Sequence, residues 1–362
     1  MRIALVSTCA VSTPPAGYGG TELVVAELAK GLVESGHDVV LYATGDSTAE
    51  VPIRSLFETP VWPPDDLAEQ RHAAFAFDDL RKRDIDVVHV NHACALPFRF
   101  TTPAPCVLTV HHDRIERLIP HYEAFPDVNF VGISERQAEL SPEIPFARVI
   151  HHGIDTSLYP EGSGRGDYVA FLGRFCEDKG THLAIDAAEM AGMPIQLGGA
   201  IHGIDDAQRY FEREVRPRLA RLGERATWRG ELSHEPKIAL LSDARATLFP
   251  IQWEEPFGLV MIESMLVGTP VVAFRHGSAP EVVEEGVTGF IVDSMEEMSA
   301  RLKTLGPFDR ARCRARALER WSTQRMTRDY VDLYRELVER PYGAIPISTD
   351  GVARHGAQHS AR

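Results

Sequence analysis

Between Trp253 and Phe274 the chain reads WEEPFGLVMIESMLVGTPVVAF, and few folds accommodate such a succession. The run ATLFPI (Ala246 to Ile251) before it favours β structure and ends at Pro250, so a strand delivers the chain into the loop Gln252–Pro256. Apolar Leu259, Val260, Ile262, Met265 and Leu266 then recur at helical spacing until Gly268 and Pro270 stop the helix and VVAF opens another strand. Strand, helix and apolar strand in immediate succession make a unit of a buried parallel sheet. The helix is expected to start near Phe257–Gly258, with its free N–H groups and positive dipole end at the crevice above the strands' carboxyl ends, a seat for an anion. Gly258 has no Cβ, so a bulky ligand can approach the backbone there.

Glu255 and Glu263 flank this helix start, eight residues apart. A helical rise places their backbones about 12 Å from each other, whereas paired glycosidase carboxylates lie roughly 5–9.5 Å apart. The spacing suits gripping two ends of a long ligand. Glutamates are mostly exposed, yet Glu263 stands among Val260, Ile262 and Met265. The stretch EPFGLVMIESMLVGTPVVA resembles the signature of the retaining glycosyltransferases of family 4, which have the GT-B fold. That resemblance implies that Glu255 contacts the transferred sugar, the amides of Phe257, Gly258 and Leu259 lie against sugar and diphosphate, and Glu263 holds the ribose hydroxyls.

The start of the chain has the same grammar. Ile3 to Ser7 is an apolar run, followed by the loop TPPAGYGGTE, an amphipathic helix ending at Gly36 and a second strand. Gly19 and Gly20 allow close approach of the main chain to a ligand, and Thr21 reads as the helix cap with Glu22 in the first turn. By resemblance this loop lies over a domain cleft, its glycines near the transferred sugar and phosphate. It is not a GxGxxG fingerprint, so no nicotinamide cofactor is inferred. A Pro-rich stretch on the acceptor side leads to a helix around Leu67–Arg83. The DxD string at Asp84–Asp86 reads as a strand start rather than a metal site. PCVLTVHHD ends a strand on two histidines, and His111 matches the family's TxH position, whose imidazole contacts donor sugar or acceptor. In ARVIHHGIDTSLY, His152 stands where the family often has Asn, so only the turn Gly153–Asp155 carries over. Ser134 reads as a helix cap, and EGSGRGD (Glu161 to Asp167) as a flexible linker.

YVAFLGRFCEDKG restarts a strand–helix unit. Arg174 and Lys179 on its loop can bracket a diphosphate, Arg as a fork of donors and Lys as a compact charge, and they match the family's GRxxxxKG pair. Gly198 and Gly199 permit close approach. By resemblance to the family, the loop Gly230–Leu232 is expected to contact the nucleobase through its backbone, Gly277 and Ser278 to border the donor, and Glu281 to cap or anchor a helix. By the same resemblance, the amphipathic helix Trp321–Leu337 would cross back to the first domain.

The chain is therefore expected to be α/β, two Rossmann-like doubly wound domains facing across a cleft. Residues 1–160 form the acceptor side, 167–320 the donor side and 321–342 the returning helix, with 343–362 a disordered tail. A net charge of −14 argues against nucleic-acid binding. Five scattered cysteines without a CxxC pair suit reduced thiols, and the first residues are too short an apolar run for a signal peptide. A cytoplasmic protein is expected, with peripheral membrane contact left open. The resemblance implies transfer of a sugar from a nucleoside-diphosphate sugar to a hydroxyl acceptor (a sugar, a lipid-linked sugar or a small molecule), with retention and without a metal or other cofactor. A nucleotide-sugar epimerase of the same fold and a non-catalytic sugar-nucleotide sensor are the alternatives.

Overall fold

The computed structural model describes residues 1–201 and 205–339, with the side chain of residue 205 left aside. The tail expected beyond Pro341 lies outside the described residues. The first sheet consists of β1 (Arg2–Val6), β2 (Asp38–Tyr42), β3 (Ile53–Arg54), β4 (Val87–Val90), β5 (Cys106–Thr109), β6 (Asn129–Gly132) and β7 (Phe146–Val149). Their order is β3-β2-β1-β4-β5-β6-β7, all parallel. The second contains β8 (Val169–Leu172), β9 (Ile195–Gly198), β10 (Ala226–Trp228), β11 (Thr247–Phe249), β12 (Val271–Phe274) and β13 (Gly289–Val292). Its order is β10-β9-β8-β11-β12-β13, again all parallel. Each sheet reverses its strand order once, between β1 and β4 and between β8 and β11. Crevices at the carboxyl ends open at such reversals.

Both faces of each sheet are covered by apolar clusters, which is why β4, β5 and β12 are apolar runs rather than alternating patterns. The DxD aspartates lie at the amino end of β4, away from the crevice, where Arg2 binds both. The helix Asp66–Leu80 is capped by Asp65 and the helix Glu135–Leu140 by Ser134. No helix among the described residues is long and apolar enough to cross a membrane.

The chain crosses between the sheets twice, and the two crossings pair. Ile154 donates its amide to Trp321 O at 2.9 Å and accepts from the Thr323 amide at 3.1 Å. A Cβ at Gly153 would stand 2.3 Å from Ser322 O, so only glycine permits the pairing. The segment Glu161–Asp167 is not the flexible linker its composition suggests. The Gly162, Gly164 and Gly166 amides donate to Val267, Ser242 and Asp243 carbonyls at 2.9, 3.0 and 2.9 Å, so its glycines serve close backbone approach. The Arg-rich helix Arg310–Arg320 has a related task. Arg310 binds the Ser242, Ala244 and Val267 carbonyls, and Arg314 binds Leu266 O, placing cations on the carboxyl end of the Leu259–Leu266 helix.

The last helix, Thr323–Glu339, packs Met326, Tyr330, Val331, Leu333, Tyr334 and Leu337 on the first sheet. A buried chain of hydrogen bonds fastens it: Tyr334 OH to His89 Nδ1 at 2.7 Å, His89 Nε2 to Thr109 Oγ1 at 2.8 Å, and Thr109 Oγ1 to Tyr330 OH at 2.8 Å. Tyr334→Phe leaves His89 with an unmatched nitrogen and should lower urea-unfolding stability by about 1–2 kcal/mol. An unchanged midpoint would show that apolar packing alone anchors this helix.

Candidate active site

The loops carrying the candidate residues leave β8 and β11, neighbours at the reversal of the second sheet. They are bound together: the Gln252 amide donates to Asp178 O at 2.8 Å and Gln252 Nε2 to Glu177 O at 2.9 Å. A Cβ at Gly180, whose φ is 69°, would lie 2.0 Å from Pro250 O. This contact carries Lys179 to Glu255, where its ammonium pairs with Oε2 and lies 5.1 Å from the Trp253 ring centroid. Trp253 Nε1 donates to the same oxygen at 2.9 Å. Arg174 has a buried Nε with no protein partner, and its guanidinium stands 5.4 Å from the Tyr18 ring of the glycine loop.

The helix Leu259–Leu266 begins beside this pair. Gly258 occupies the cap position with φ 83° and no side chain caps the end. Its φ calls for glycine, and a Cβ there would also press on the Phe249 ring, 3.0 Å from Cζ. The following loop braces this backbone: Ser278 Oγ donates to Phe257 O at 2.6 Å and the Gly277 amide to Glu254 Oε2 at 3.1 Å. Within the helix, Glu263 is only 3% exposed. Its Oε1 accepts from Tyr159 OH at 2.9 Å and from Lys237. The two glutamates do not meet; each has its own lysine and its own aromatic donor.

The first domain closes the site. The helix Gly20–Glu34 starts two residues earlier than expected, with Gly19 rather than Thr21 in the cap position and no side-chain cap. A Cβ on Gly19 would stand 2.8 Å from Pro15 Cβ, so glycine is needed there for close approach. Glu22 is buried, accepts from Thr8 Oγ1, and is pushed above the usual carboxylate range by burial. A Cβ on Gly20 would reach Leu259 Cδ1 at 3.5 Å, and one on Gly17 would reach Glu231 Oε1 at 2.8 Å, so the glycine loop spans the cleft to the second domain. The Gly230 carbonyl accepts from the Gly199 amide at 2.8 Å, and the Leu232 side chain fills the space left by Gly198.

His111 leaves the end of β5, and its Nε2 meets Asn91 Oδ1 at 2.9 Å. Asn91 Nδ2 donates to Val6 O, so His111 Nε2 carries the proton and Nδ1 keeps its lone pair. The His111 ring stacks on His152 at 5.4 Å, and His152 meets Phe257 at 4.9 Å, linking first domain, hinge and donor loop. Burial, then the neighbouring histidines, hold His111 well below its ordinary value, and burial pushes His152 down to about 3. Both are neutral at pH 7. His112 is engaged by Tyr122 OH at 2.6 Å and Asp113 O at 2.5 Å.

Sequence reasoning missed several partners. Trp253 lay inside the motif, where its N–H could have been weighed, but Tyr159 and Lys237 reach Glu263 from distant segments with no spacing signal. Arg136 of the first domain grips Glu254 through Nε at 2.9 Å and Nη2 at 3.1 Å. Glu281 anchors a helix, as expected, but one in the other domain: it accepts from the Glu135 and Arg136 amides at 2.9 and 3.1 Å and pairs with His151 at 3.0 Å. Asp66, His92 and Cys94 also bring ligand-type atoms within 4.8 Å of one another. There the Cys94 amide occupies His92 Nδ1, and burial with the nearby carboxylates pushes the Cys94 thiol up to about 11.

Two family models match the chain: "Glycosyltransferase Family 4" over residues 18–158 and "Glycosyl transferases group 1" over residues 161–306. The chain is 24% identical to the O-antigen chain mannosyltransferase C of Escherichia coli, over 90% of this chain and 96% of that protein. Among solved structures it resembles AviGT4, a glycosyltransferase involved in avilamycin A biosynthesis, at 25% identity and TM-score 0.74, over 93% of this chain and 98% of that one. Anabaena Alr3699/HepE, solved in complex with UDP-glucose, has the same fold at 20% identity and TM-score 0.73, over 93% and 100%.

The buried His152 makes acid stability testable. Its folded value of about 3 lies below the unfolded value of about 6.5, so the unfolded state binds more protons between them and stability falls as pH drops through that window. His152→Asn should flatten that decline by up to about 1.4 kcal/mol per pH unit, measured by urea unfolding from pH 7 to 4. A slope equal to wild type would mean that His152 is not held neutral in the folded state.

Proposed function

Because the chain belongs to the group 1 glycosyltransferases of family 4, built as two Rossmann-like domains in the GT-B arrangement, we propose that it moves a sugar from a nucleoside-diphosphate donor to a hydroxyl acceptor with the anomeric configuration retained. The observation that carries this reading is the convergence at the reversal of the second sheet. The loop after β8 supplies Lys179, paired to Glu255, and an Arg174 Nε buried without a partner, and the loop after β11 leads into the uncapped helix start at Gly258. The Anabaena protein of this fold was solved with UDP-glucose, which supports the donor class.

The roles follow from where charge develops. As the glycosidic bond breaks, negative charge grows on the leaving diphosphate, and Arg174, Lys179 and the free amides at Phe257–Leu259 stabilise it. Lys179 is shared between the diphosphate and Glu255. Trp253 holds Glu255 Oε2, which leaves Oε1 to orient the sugar. His111 Nδ1 accepts a hydroxyl of the sugar or of the acceptor. Glu263 takes the ribose, and the Gly230–Leu232 loop borders the base. Gly19 and Gly20 bring the backbone against the sugar phosphate. The donor-side cations supply the charge that a metal would otherwise bring, so the reaction is proposed to run without a metal or other cofactor. A reducing, cytoplasmic setting accords with five unpaired thiols.

Glu255→Gln and Lys179→Ala are expected to lower turnover by about 100-fold or more, with small changes in thermal midpoint. The assay screens UDP-, GDP-, ADP- and TDP-sugars against sugar and polyol acceptors with EDTA present. Wild-type turnover in either variant overturns the assignment, loss of activity in EDTA overturns metal independence, and an inverted anomeric proton coupling in the product overturns retention.

A further inference from the structure

The Glu263 carboxylate has one oxygen already occupied. Tyr159 comes from the segment just past the hinge, Lys237 from the helix His234–Asp243, and both reach Oε1. The Glu263 side chain is 4% exposed and that of Lys237 19%, so this pair sits largely out of water. A buried carboxylate without a cation would be costly. Glu255 is built in the same way, with Lys179 and Trp253 Nε1 both on Oε2. In each case a lysine and an aromatic donor load one oxygen, leaving the lone pairs of the other for a hydroxyl-bearing ligand.

Resting on the nucleotide-sugar reading of this cleft, we infer that Lys237 and Tyr159 are positioning residues for ribose recognition. They hold Glu263 by Oε1 and turn it so that Oε2 alone meets the ribose hydroxyls. Lys237 acts through Glu263, so its contribution to binding vanishes for a nucleotide that lacks the hydroxyl Glu263 would hold. A lysine that served only folding would weaken ribo- and deoxynucleotide binding alike.

The test is calorimetric titration of UDP, GDP and ADP and of their 2′-deoxy counterparts into wild type, Lys237→Met, Lys237→Arg and Tyr159→Phe, with thermal midpoints recorded alongside. Wild type should prefer the ribonucleotide. Lys237→Met should weaken it by about 10-fold and bring the ribo-to-deoxy ratio close to one, Lys237→Arg should restore much of the ratio, and Tyr159→Phe should lower it by about 3-fold. Should Lys237→Met not fold, Tyr159→Phe and Lys237→Arg decide the matter through the same ratio. A ratio unchanged from wild type in the folded variants overturns the inference while leaving the donor reading intact. Absence of binding of every diphosphate to wild type overturns the donor reading, and this inference with it.

Discussion

Two carboxylates stand nearly out of water in the cleft, and the arrangement of the site follows from the lysine and aromatic donor that each of them meets there. Burying a charge is tolerated when a counter-ion and hydrogen bonds replace its hydration. Glu255 obtains these from Lys179 and Trp253, and Glu263 from Lys237 and Tyr159. The requirement explains much else. Lys179 can reach Glu255 only because Gly180 lets its loop lie against Pro250, and Tyr159 reaches Glu263 only because the segment after the hinge is laid along the second domain.

The contacts between domains answer to the same chemistry. Arg136 binds Glu254, the neighbour of Glu255, so the first domain holds the backbone on which that carboxylate is mounted. Glu281 occupies the amino end of the Glu135–Leu140 helix and meets His151 in the hinge. Burial alone would raise its carboxyl, but the hydrogen bonds from His151 and the two amides hold it below the usual range. Domain placement and site geometry are thus linked through groups that touch both, with the His111–His152–Phe257 stack as the apolar counterpart.

The fold was largely legible because its signals are local. Apolar runs at β1, β4, β5 and β12 mark strands buried on both faces, and glycine and proline punctuate the helices between them. Arg174, Lys179, Glu255 and Glu263 could be singled out because each lies on a strand-to-helix loop or first turns, where a parallel sheet presents residues to its crevice. Composition misled where it stood for conformation. The glycines of Glu161–Asp167 suggested freedom but serve tight approach to the ends of two helices, and Thr21 is the right residue type for a cap in a place where Gly19 already occupies the cap position.

Taken by itself, the chain determined its elements, their alternation and the loops that face the crevice, since these depend on neighbours a few residues apart. Only the tertiary structure decided which oxygen of each glutamate is occupied, that His111 keeps a lone pair on Nδ1, and that Lys237, Tyr159 and Arg136 belong to the site at all. Those contacts join residues 26, 104 and 118 positions apart. No periodicity records such pairings, because they exist only once two sheets have packed and the chain has crossed between them twice.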